Sequence, residues 1–187
     1  MSQAQRDQIA TAVNEQYQKW FSYLYGYDGF PYNNISVNVV GWAVKDKALL
    51  EGSTEGLDIY TDVDAEGIPQ CAESCGRFFN QAGDYSGCAG GAERHYDQSL
   101  WLTDGMGGGA GGDWGQRIGS EYFLQALGSE NIHILLHEMV SHPSFSETTL
   151  STNHGHSRDT PLLWMTFTTG LPQAWTRSSC LPAQRRR

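Results

Sequence analysis

Asn131 to Met139 reads NIHILLHEM, and the reading of these nine residues decides what kind of domain the chain builds. Ile132, Leu135, Leu136 and Met139 recur at spacings of three and four, which predicts one apolar stripe on a helix. His137 and Glu138 sit side by side at its end. Two imidazoles on one helix can hold one metal ion when they lie four residues apart, on the same face. The next histidine after His137 is His142, five residues on and about 140° around a helix, so this pair cannot share an ion without unwinding the helix. His133 precedes His137 by four residues and reads as an exposed or hydrogen-bonded histidine.

Upstream, Gly128 stops a helix expected over 117 to 127, Ser129 caps the next one, and Glu130 sits favourably in its first turn. DGMGGGAGGDWG, residues 104 to 115, reads as a flexible substrate-side or connecting loop. It lacks the Lys-Ser/Thr of a phosphate-binding loop, which argues against nucleotide binding. HYDQSLWLT, residues 95 to 103, reads as a strand.

Further back, Cys71, Cys75 and Cys88 fall within 18 residues of Gly-rich sequence, the spacing of a local loop stapled by one disulfide. Asp62, Asp64, Glu66, Gly67 and Glu73 match positions 1, 3, 5, 6 and 12 of a calcium loop, but Pro69 stands where that loop needs an aliphatic strand residue. A solvated acidic loop is the better reading. Residues 35 to 44, ISVNVVGWAV, read as a strand and 45 to 50 as a turn or edge. Residues 3 to about 25 form an amphipathic helix, with Ile9, Val13, Tyr17, Trp20, Phe21 and Leu24 on its core face and Gly26, Gly29 and Pro31 ending it.

A chain of 187 residues, 39% hydrophobic with 12% aromatic residues, suits one folded domain. No apolar run approaches the roughly 18 residues of a membrane span. A formal net charge of −9, with the only basic cluster at Arg185 to Arg187, argues against a nucleic-acid partner. No secretory signal opens the chain, yet the clustered cysteines and the sequon Asn34-Ile35-Ser36 suit an extracellular protein. The expectation is secretion, with the leader encoded by a first exon missing from this reading.

Two differently composed texts meet at Met139. Residues 1 to 139 hold 7 Lys+Arg, 19 Asp+Glu and 20 Gly, whereas 140 to 187 hold 5, 2 and 2, with 15 Ser+Thr. If Val140-Ser141 is GTG AGT, it is a spliceosomal donor; Thr152-Asn153 as ACTAAC holds a branch point, and Arg158 as AGG supplies the acceptor. The implied intron is the eighteen codons from Val140 to Ser157 plus two bases, about 56 nucleotides. Its removal shifts the frame, so Trp164-Met165-Thr166 is forced to read Asp-Asp, and the code permits HEMGHTFALDDFYDW after the join. That product puts a second His four residues after His137 and an Asp six residues beyond it.

HEMGH with this trailing Asp resembles the extended HExxHxxGxxH/D signature of metzincin-like zinc peptidases, with Ala at the family's Gly. The stretch from Tyr25 to Met139 is more broadly similar to a secreted fungal family carrying that motif. The resemblance implies an α+β zincin-like domain with a small mixed sheet and an active-site helix. Residues 1–139 would be its N-terminal portion and 140–187 an aberrant, disordered tail. It implies a secreted zinc metallopeptidase acting on a peptide or protein, with His137 as a zinc ligand and Glu138 as general base on zinc-bound water. As written the chain would be inactive. The competing reading takes the tail as genuine, a Ser/Thr/Pro-containing and poorly ordered segment with Cys180 open to a disulfide. The chain is then a non-catalytic secreted binder of cell-wall polysaccharide, with Trp101 and Trp114 as stacking platforms.

Overall fold

The structure, a computed structural model, describes residues 1–30, 32–65, 67–140 and the backbone of 163–169. Helix α1 (Gln3–Leu24) starts where its sequence places it. Ser2 and Gln5 form a reciprocal capping box that satisfies two of the first turn's orphan N–H groups. Its inward face carries Ile9, Ala12, Val13, Gln16 and Tyr17. Arg6 is also buried there, donating to the carbonyls of Met1, Glu51 and Ser53 at 3.1, 2.9 and 2.7 Å, so the guanidinium ties the helix start to the 47–53 segment.

Among the described residues six strands form one mixed sheet: β1 (Val37–Ala43), β2 (Asp58–Tyr60), β3 (Gln98–Thr103), β4 (Gly109–Gly112), β5 (Gly115–Gly119) and β6 (Leu163–Thr169), in the spatial order β2-β1-β6-β3-β5-β4. β1 pairs with β2 and β3 with β5 in parallel, while β4 and β6 are antiparallel to their neighbours. Helices α1, α2 (Ser120–Ala126) and α3 (His133–Glu138) lie on one face. The fold class is α+β, the coarse class that the resemblance implies.

A strand alternates its side chains, so each face should take every second residue. β3 obeys: Leu100 and Leu102 enter the helix-side core while Trp101 turns to the far face. In β1 a register irregularity between Val39 and Gly41 shifts the parity, so Val37, Val39, Trp42 and Val44 all serve the helix-side core and Val40 and Ala43 the far side. The far face is covered by loops, held by the Cys75–Cys88 disulfide among Tyr85 and Tyr96. The expected local staple is present among the described residues as Cys75–Cys88.

Three expectations need correction. Residues 104 to 115 are not a flexible loop, because Gly109–Gly112 form β4. Of the helix expected over 117 to 127, residues 117–119 are strand, because they belong to β5, which pairs with both β3 and β4, and α2 begins only at Ser120. The tail expected to be structureless contributes β6, whose β-branched and aromatic LWMTFTT pairs with β1 on one side and β3 on the other. The remainder of that tail, with His142, His154, His156 and Cys180, lies outside the described residues. No helix among them is long and apolar enough to cross a membrane.

Candidate functional site

α3 spans six residues, too few to hold a helix in water on local hydrogen bonds alone. Ser129 does not cap it; the N-cap is Ile132, which offers no side-chain oxygen. Neighbouring elements supply the missing partners. Gln16 of α1 accepts from the Ile132 N–H at 3.0 Å and donates to the Glu130 carbonyl at 3.2 Å, and the Tyr122 hydroxyl accepts from the Ile134 N–H at 3.3 Å. Lys19 donates to Asn131 and Glu130, and Trp20 Nε1 donates to the Leu136 carbonyl at 3.1 Å. Ile132 and Leu135, with no exposure, anchor the stripe in the core. α3 is thus a short helix whose position is imposed by α1 and α2.

That position sets the two singled-out residues apart. Successive helical residues point about 100° from each other. His137 is accordingly exposed, on the same face as exposed His133, while Glu138 is buried against β4. A Cβ on Gly109 would lie 2.7 Å from Glu138 Cγ and 2.8 Å from Oε1, and one on Gly111 would collide with the Glu138 carbonyl oxygen. The glycine run in GGGAGG is therefore the condition for seating α3 under β4. Sequence reading missed this, although a glycine at every second strand position is its signature.

Among the described residues, no three His, Cys, Asp or Glu side chains converge as a metal site. In the acidic loop, Asp64 accepts from the Ile68 N–H at 2.9 Å and from Gln70 Nε2 at 3.2 Å, which closes a turn. Glu66 lies outside the described residues. Trp101 on β3 and Trp114 in the β4–β5 turn come together on the far face, their ring centroids 5.5 Å apart.

Comparison of the chain with protein-family models, with curated proteins and with solved structures returns no match.

Proposed function

We propose that this chain carries the first part of a secreted zinc metallopeptidase with a zincin-like domain, cut short inside its metal-binding helix and inactive as written. The observation that carries the reading is the seat of α3: a His-Glu pair ends a helix clamped by α1, and the glutamate lies beneath β4. Among the described residues that strand has a neighbour on one side only, so its outer backbone edge can take an extended peptide by main-chain hydrogen bonds. His137 is the surviving ligand in this reading and Glu138 the general base.

As it stands the described chain does not fit zinc. One imidazole beside one carboxylate leaves a tetrahedral ion short of protein ligands, so no hydrolytic step is derived for this form. Splicing would supply the second His and the Asp and would remove LWMTFTT by frameshift. β1 and β3, both antiparallel to β6, run parallel to each other, so without β6 they can pair directly into β2-β1-β3-β5-β4. Its one antiparallel strand, β4, would then border the peptide groove.

One observation favours a second reading. β6 occupies the middle of the sheet, paired on both sides, which suits a tail that belongs to the protein and a non-catalytic binding function. Sequencing cDNA across the Met139 codon separates the two. The first reading expects a message lacking about 56 nucleotides and encoding HEMGH followed by an Asp-Asp pair. The protein from that message should hydrolyse peptides and lose activity on chelation and in Glu138→Gln, which keeps the shape and removes the base. Transcripts that all retain the segment leave the second reading.

A further inference from the structure

The far face of the sheet, away from α3, carries a cavity of about 350 Å³ walled by Phe78, Phe79, Tyr96, Trp101 and Trp114. Its walls are locked from behind. Ser99 Oγ accepts from Trp101 Nε1 at 2.9 Å and donates to the Trp114 carbonyl at 3.0 Å, fixing both tryptophans through one hydroxyl. Arg77 donates to the Asp113 carbonyl at 2.7 Å and forms an ion pair with its carboxylate, joining the Phe78-Phe79 segment to the Trp114 turn. The Cys75–Cys88 disulfide closes the loop that carries the two phenylalanines. Gly76 has no side chain to displace Tyr96, whose hydroxyl would lie 2.7 Å from an added Cβ. Phe78 and Phe79 are nevertheless 38% and 52% exposed, a large apolar surface left open beside two half-buried indoles.

The polar groups at the cavity say what it takes. Glu73 and Arg117, of opposite sign, both line it, and Arg117 lies 5.9 Å from the centre of the Trp101 ring. Such a pair favours neither an anion nor a cation, while a carboxylate and a guanidinium together can accept from and donate to hydroxyls. The volume stands at the low end of the roughly 300 to 1,000 Å³ of ligand pockets, room for one or two rings and not for a folded segment. A pyranose with equatorial hydroxyls meets all three conditions, since its C–H faces stack on indole and phenyl rings while its hydroxyl edge reaches the charged pair. We infer that this cavity is a binding site for a neutral pyranose ring, separate from the α3 site on the other face.

Intrinsic tryptophan fluorescence of the full chain, titrated with cellotetraose, tests the site. The expected result is a saturable shift, unchanged by EDTA, with affinity weakened about tenfold or more by Trp114→Ala, the loss of one stacked ring. Phe79→Ala, at an exposed rim position outside the core, gives the same direction should Trp114→Ala fail to fold. No saturable shift overturns the inference, as does undiminished affinity in both variants. Tetragalacturonate or 3-phenylpropionamide binding as tightly as cellotetraose also overturns it, the first removing the preference for a neutral ligand and the second that for a sugar. The lining residues, 70 to 117, precede the Met139 break and the titration uses the full chain with β6 in place, so its outcome is read without reference to the transcript.

Discussion

Glu138 shows how one side chain fixes the residues opposite it. Its carboxyl lies under Gly109 and its carbonyl under Gly111, so β4 and α3 approach closer than any side chain on those glycines would allow. Gly111→Ala should destabilise the fold by about 1–3 kcal/mol, the usual effect of forced overpacking. Gly107→Ala, with nothing within 4 Å of the new Cβ, should change stability by less than about 0.5 kcal/mol. Urea unfolding of both variants against the parent checks the contrast. His95 offers a second test at this scale. Its ring stacks on Tyr85 at 4.7 Å, and the Asp97 carboxylate, 3.6 Å from its Nε2, raises its pKa above the ordinary histidine value, opposed by burial. A raised folded pKa contributes stability that is fully present below the unfolded value and is lost as pH rises through the folded one. An NMR titration should therefore find His95 titrating above an ordinary histidine, and Asp97→Asn should lower it. The stability gap between the two proteins should shrink as pH rises through that range.

At the scale of an element, α3 is held by its neighbours and not by its own sequence. Its first N–H groups go to Gln16 and Tyr122 in place of a capping side chain. Gln16→Ala would leave the buried Ile132 N–H without its acceptor and the Glu130 carbonyl without one of its donors. An unsatisfied buried polar group costs about 1–3 kcal/mol. Hydrogen exchange should show the α3 amides losing protection more than those of β3 or α1, because α3 is only six residues long and is the helix whose start the glutamine anchors. Equal loss everywhere would mean that Gln16 supports the whole fold and not this helix.

For the whole molecule, the arrangement of the sheet turns on β6. It is antiparallel to two strands that are parallel to each other, so its removal leaves β1 and β3 able to pair directly as parallel strands. A protein ending at Met139 should keep the far-UV circular dichroism of its helices and a cooperative, though less stable, thermal transition if β1 and β3 close on each other. Complete loss of cooperative unfolding would establish β6 as a native strand and favour the binding-protein reading. Dialysed against buffer without chelator, the full chain is expected to retain no stoichiometric zinc, since His137 is the only ligand of the proposed site that it presents.

The sequence by itself determined the long amphipathic α1, strands within 35–44 and 95–103, and the local disulfide. Each of these rests on periodicity or spacing within a few residues, which a one-dimensional reading can see. It also located the His137-Glu138 pair and the change of text at Met139. Only the tertiary structure decided that GAGG is a strand, that residues 115–119 pair instead of coiling, and that His137 faces out while Glu138 is buried. Only it brought Trp101 and Trp114 together over one cavity. These outcomes depend on what lies across from a residue: glycine has no pattern of its own, and it becomes a strand here because a helix from twenty-odd residues later needs the space its side chain would fill.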